Sequence, residues 1–393
     1  MDSMEEVTAH PDNKKRQNKW FSGLRTTKDT GTVSLSGIPS SEETPCTLFL
    51  GPTYWNKKIG LDIRRYYTDP YYYLEYQLKI CQERLYNYHD DTFFTGTIPL
   101  DFGVAFVPSL FGAKTVFPKD KDPWVRRGIP IINKMSDVRE LPFPDFYSNK
   151  QMKWYHAFYE RIEEIVSIHN HFQVKFPDWR SGPFPLALAL RGWSRLLEDT
   201  IENEELVHAL MEKTTEYRIE WCKQRARHTG ESENTMLGND DINHPIVSAQ
   251  LYNKYILPYE MSIYRLHNRI SYWHSCGNIT PLLAQIAQIP QIDLLQVSPF
   301  SDLRKVAKTF SKRQTALQIW IHPARDLILA TPEHMRRALE KIVRICHEEN
   351  ITRYSIVSGH IQPMMDLAAQ EKQIHLWLST VRQVLDANTM SLN

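Results

Sequence analysis

Ile270-Ser271-Tyr272-Trp273-His274-Ser275-Cys276-Gly277-Asn278 is an apolar run that ends in His-x-Cys-Gly, just before a helix-like segment begins near Thr280. A short strand feeding directly into a helix is the repeating unit of a parallel sheet. Residues two apart on a strand project to the same side. The imidazole of His274 and the thiol of Cys276 therefore leave the carboxyl end of this strand together, an arrangement suited to a metal. The pair alone also fits a buried cysteine beside a half-buried histidine.

The same unit recurs on both sides. Short apolar runs at 234–239, 293–297, 316–322 and 354–357 read as strands. The segments 203–227, 248–268, 281–287, 302–310, 331–345 and 366–385 read as helices, with Thr331 as a cap. No GxGxxG and no GxxxxGK[ST] occurs, so the alternation predicts a distorted (β/α)8 TIM barrel rather than a dinucleotide-binding fold. The chain before it is less regular. Asp69 and Pro70 start a helix to about Tyr88, 93–107 reads as extended, 111–124 as loop, 150–166 as helix and 171–176 as strand. Residues 1–45 read as a polar, partly irregular N-terminal extension in which Lys14-Lys15-Arg16 forms a solvated face, and residues 46–393 as the barrel. Barrel chemistry sits where strands end. Tyr354-Ser355-Ile356-Val357-Ser358-Gly359-His360 offers a second such end, so His274, Cys276 and His360 make a three-ligand zinc set with an open fourth position.

Composition narrows the function. The 393 residues carry a formal net charge of +1, with 42% hydrophobic and 24% charged residues, which points away from nucleic acid and anionic membranes as partners. There is no long apolar run and no signal-peptide pattern at the N-terminus. Five scattered cysteines at 46, 81, 222, 276 and 346 are not a disulfide framework, and a reducing cytoplasm is expected. The 19 Tyr and 10 Trp are read chiefly as packing residues, with a pocket for a large or aromatic ligand as the alternative.

A set of short motifs in order carries a resemblance: Gly182-Pro183-Phe184 with Leu190-Arg191-Gly192, Leu257-Pro258-Tyr259-Glu260, His274-Ser275-Cys276-Gly277-Asn278, Asp302-Leu303, Thr331-Pro332-Glu333 and Ser358-Gly359-His360. Over roughly residues 46–385 the chain resembles the uroporphyrinogen decarboxylase superfamily, in particular its cobalamin-dependent methyltransferase branch. The resemblance implies a funnel at the carboxyl face of the strands and a zinc ion held by His-x-Cys and a distant third ligand, usually Cys. His274 and Cys276 match the first two; His360 stands at the third and departs from the pattern. The decarboxylases lack His-x-Cys and carry an N-terminal Arg-Gln-x-x-x-Arg motif, which Trp20-Phe21-Ser22-Gly23-Leu24-Arg25 does not match. Tetrapyrrole decarboxylation is therefore not expected.

The resemblance also implies a corrinoid supplied by a partner protein, since this chain holds no Asp-x-His-x-x-Gly cobalamin signature. The expected activity is zinc-dependent methyl transfer between a methoxylated compound or a thiol and the corrinoid cobalt. One thiolate and two imidazoles would leave the zinc site with a formal charge of +1, favouring the ether. Asp240 and Asp241 are candidates to donate a proton, orient a ligand or add a metal contact, or else simply cap the next turn. His322 and Asp178 are candidates for contact with substrate, Asp178 alternatively pairing with Arg191. The competing expectation is a barrel of the same superfamily that binds a small molecule or tetrapyrrole without zinc methyl transfer.

Overall fold

A computed structural model describes residues 2–21, 38–126, 129–169 and 172–390. Its strands, in chain order, are β1 (Cys46–Leu50), β2 (Thr97–Pro99), β3 (Thr115–Val116), β4 (Trp124–Val125), β5 (Gln173–Lys175), β6 (Leu237–Gly238), β7 (Ile270–His274), β8 (Ile292–Val297), β9 (Ala316–Trp320) and β10 (Tyr354–Ile361). Six of them form one parallel sheet in the order β1-β10-β9-β8-β7-β6, while β2 pairs in parallel with β5. An isolated bridge between Ser181 and Gly238 joins the chain after β5 to β6. This is the distorted (β/α)8 barrel, with helices packed around a parallel wall. Strands β8 to β10 are buried nearly throughout because both faces are covered, one by helices and the other by the barrel interior.

The distortion lies between β1 and β2, where side chains replace a ladder. Asp91 Oδ2 accepts from Cys46 N and Asp90 Oδ2 from Leu48 N, both at 2.8 Å. Arg84 ties Asp90 to the Leu48 carbonyl. The two ends of the chain meet at this seam. β1 pairs with β10, Phe49 N donates to Ser358 Oγ at 2.9 Å, and Arg382 reaches Asp91 at 2.8 Å.

The caps expected at Asp69 and Thr331 are in place, and Asp302 adds another. Asp69 accepts from Tyr71 N and Tyr72 N at the head of Pro70–Glu83; Asp302 and Thr331 cap Leu303–Phe310 and Pro332–Glu348 in the same way. Other expectations give way. Within 93–107 only Thr97–Pro99 is strand, and Phe106–Leu110 is helical; within 111–124 there is a small antiparallel hairpin, β3 with β4. The N-terminal segment, expected to be partly irregular, is regular over Asp2–Phe21. It forms two helices whose Met4, Val7 and Trp20 are buried. Arg16, expected on an open basic face, is 5% exposed and donates to the carbonyls of Thr92 and Leu85, because only Lys14 and Lys15 of that run point outward. Residues 22–25 of the segment compared with the decarboxylase motif, and His171 at the start of the expected strand, lie outside the described residues. No helix among the described residues is long and apolar enough to cross a membrane.

Candidate metal centre

The barrel positions three donors at the carboxyl ends of β6 and β7. His274 is the last residue of β7 and lies in register with Gly238 of β6. Asp240 follows β6 by two residues, and Asn239 N donates to the His274 carbonyl at 2.9 Å. The two loops beyond are sewn together by His244 N to the Asn278 carbonyl and by Ser275 Oγ to the Ile242 carbonyl. Gly277 makes this possible, since a Cβ there would sit 2.2 Å from Asn243 Cγ.

The result is a group in which Asp240 Oδ1, His274 Nε2 and Cys276 Sγ all lie within 4.8 Å of one another. Individual separations are 2.7 Å from His274 to Asp240, 3.1 Å from Cys276 to Asp240 and 3.4 Å from Cys276 to His274. Ligands on a tetrahedral zinc stand about 3.3–3.6 Å apart, given bonds of about 2.0–2.3 Å. The donors need to move outward by only tenths of an ångström to take an ion. The chemistry of the set agrees: one thiol, one imidazole and one carboxylate are the ordinary ligands of zinc.

Electrostatics agree too. Cys276 is exposed as a residue, but desolvation of its thiol among its neighbours first, then the Asp240 carboxylate, pushes that thiol above its ordinary value. Burial works against ionisation of Asp240 as well, but the hydrogen bond and attraction of His274 hold that carboxyl below the usual range. A thiol and an ionised carboxylate 3.1 Å apart share a proton or a cation; a divalent ion would deprotonate the thiol outright.

Beneath His274 the period-two pattern of the strand supplies a support. Tyr272 OH donates to Gln318 Oε1 at 2.6 Å, and Trp320 Nε1 donates to the same oxygen at 2.7 Å. Having spent its proton on Gln318, the Tyr272 oxygen at 3.3 Å accepts from His274 Nδ1. His274 Nε2 itself donates to the ionised Asp240 Oδ1 at 2.7 Å; an ion taking that position would displace this proton, and Tyr272 would keep the other on Nδ1, the tautomer a metal requires. Tyr272, Gln318 and Trp320 were not singled out from the sequence, although each lies two residues from another inward-facing position on its strand.

The other expected residues are placed differently. His360 is not part of the three-donor group. It lies in register with Phe49, whose ring stacks on it at 4.6 Å. Phe49 in turn meets Trp320 at 5.4 Å, and Trp320 meets His274 at 6.0 Å, so the contact path between the imidazoles passes through two aromatic rings. Gly359, just before His360, stands at φ +68°, and the β1–β10 register shifts between Thr47 and Phe49. There His360 Nε2 is buried without a hydrogen-bond partner, and burial lowers the basicity of the ring.

Asp178 faces the helix layer, paired with Arg225 at 2.9 Å and Lys175 at 3.5 Å. It does not pair with Arg191, which grips Asp199 at 2.6 Å across the Gly192 break. His322 caps the turn after β9, accepting from Arg325 N at 3.2 Å. Asp241 follows Asp240, and its charge contributes to raising the Cys276 thiol.

Fold and site together define a parallel barrel with three donors gathered at its mouth that could hold a metal ion. The uroporphyrinogen decarboxylase (URO-D) family profile matches residues 39–383, and the chain belongs to that family. Among solved structures it is similar to a methyltransferase from Methanosarcina mazei, with a TM-score of 0.61 at 13% identity, covering 89% of this chain and 96% of that one. That likeness is one of fold. No curated protein sequence matches the chain.

Proposed function

We propose that the protein is a cytoplasmic zinc-dependent methyltransferase that moves a methyl group between a small substrate, a methoxylated compound or a thiol, and the cobalt of a corrinoid carried by a separate protein. The observation that carries this reading is the convergence of Asp240 Oδ1, His274 Nε2 and Cys276 Sγ at the barrel mouth. These three atoms would hold the ion. Zinc, when bound, supplies Lewis acidity toward a substrate oxygen or eases deprotonation of a substrate thiol.

The chain's own residues do the remaining work. Tyr272 would hold His274 in the ligating tautomer, the Cys276 proton would leave to solvent on metal binding, and Asp240, kept ionised, would be the second anionic ligand. Asp240 thereby takes the place that sequence reasoning assigned to His360, and this alters the electrostatic argument. Two anionic ligands and one neutral imidazole bring the site to zero charge rather than +1, so charge no longer favours an ether over a thiol.

Metal analysis of the purified protein tests the reading. One zinc per chain is expected, lost in Cys276→Ala, together with methyl transfer in the presence of a corrinoid protein from methoxylated aromatics or to thiols. Protein that takes up no zinc and transfers no methyl group with either class overturns it.

A further inference from the structure

Glu260 lies on the outer side of the barrel wall, on the helix Leu257–His267, and is completely buried. Its Oε1 accepts from Asn239 Nδ2 at 2.7 Å, and its Oε2 accepts from Tyr252 OH at 2.5 Å and Trp273 Nε1 at 3.2 Å. Asn239 immediately precedes Asp240, and Trp273 immediately precedes His274. Consecutive strand residues face opposite ways, so each metal donor points into the mouth while its predecessor points back to the helices. One carboxyl group therefore grips both ligand-bearing segments from behind, one residue below the donors.

β6 is two residues long, and at the level of the donors Asn239 N to the His274 carbonyl is the backbone bond that ties its end to β7; the next, from His244 N to the Asn278 carbonyl, comes only after the loops have passed the donors. The Asn239 side chain is seated by a bare glycine, since a Cβ on Gly182 would lie 2.1 Å from Asn239 Oδ1. Arg218, also buried, grips the carbonyls of Ser181 and Met236 farther down the same wall.

We infer that Glu260 is a positioning residue for the metal centre, setting the separation of Asp240 and His274 through Asn239 and Trp273. The inference rests on the zinc reading above and acts on ligand geometry, not on substrate.

Cobalt(II) loading tests it, because the visible spectrum of the ion reports its ligand geometry independently of any activity. Wild-type protein is titrated with cobalt(II) and then zinc, beside Glu260→Ala, Glu260→Gln and Asn239→Ala. The expected result is a changed spectrum and at least a tenfold weaker affinity in Glu260→Ala and Asn239→Ala. Glu260→Gln has one acceptor oxygen and so keeps the grip on only one of the two segments; its spectrum and affinity are expected to fall between those of wild type and Glu260→Ala. Should Glu260→Ala fail to fold, Asn239→Ala decides, since it removes one grip and leaves the carboxyl with two donors. Variants that bind cobalt with wild-type spectrum and affinity overturn the inference alone. Wild-type protein that takes up no cobalt overturns it together with the metal reading.

Discussion

Replacing Tyr272 by phenylalanine removes one oxygen from beneath the metal centre and nothing else. The ring stays packed against Leu294 and Ala316 in the barrel interior. Gln318 Oε1 keeps its bond from Trp320 at 2.7 Å, so no acceptor is stranded there and the stability lost is that of one net hydrogen bond, about 1 kcal/mol. His274 loses more, because the acceptor at 3.3 Å that holds its proton on Nδ1 disappears. Loss of such a support weakens metal binding by about ten- to a hundredfold, or roughly 1.4–2.7 kcal/mol. Competition for zinc against a chromophoric chelator measures the affinity, and urea unfolding of the metal-free variant measures the stability. A zinc affinity within twofold of wild type would refute the assignment of the tautomer to Tyr272.

Three further outcomes follow from other parts of the molecule. Burial drives the Glu260 carboxyl up to about 7 from its ordinary 4.5, against the donors Tyr252, Trp273 and Asn239 and the attraction of Arg218. Between those values the unfolded chain ionises first and binds fewer protons, so stability falls as pH rises through the window, by at most about 3 kcal/mol. Glu260→Gln lacks this slope, and urea unfolding without metal at pH 5 and pH 8 should show the variant gaining on wild type at the higher pH. Arg16→Ala strands the buried carbonyls of Thr92 and Leu85 and should cost about 2–4 kcal/mol, seen as a lower urea midpoint. Gly51→Ala puts a methyl group 2.1 Å from His360 Nε2 and should cost about 1–3 kcal/mol; a double-mutant cycle with His360→Ala should recover most of it.

The carboxyl-terminal half was legible because its strands are continuous apolar runs and its helices carry caps, as at Asp302 and Thr331. His274 and Cys276 were legible as a pair because strand geometry puts residues two apart on one side. Asp240 stood out only as a polar strand end; its meeting with that pair depends on the register of β6 against β7, which no local pattern encodes. His360 misled for the complementary reason. The strand runs on to Ile361, so His360 is a strand residue paired with Phe49 instead of a loop residue free to join Asp240, His274 and Cys276. Arg16 was hidden by its neighbours, since a run of three basic residues on a helix reads as one charged face although the third turns inward. Phe106 and Val107 read as the end of the extended run 93–107 from their aromatic and β-branched character, yet they open the helix Phe106–Leu110 beyond Gly103.

The seam at which Cys46–Leu50 meets Tyr354–Ile361 and Arg382 meets Asp91 has a consequence for biosynthesis. A nascent chain presents β1 early, but its partner strand is translated some three hundred residues later, as the 309-residue span from Phe49 to Ser358 shows. Until then that edge is bare, and the wall cannot close on the ribosome. Emergence of Tyr354–Ile361 is therefore the event that permits closure, and truncation ahead of that strand should yield insoluble protein rather than a smaller barrel.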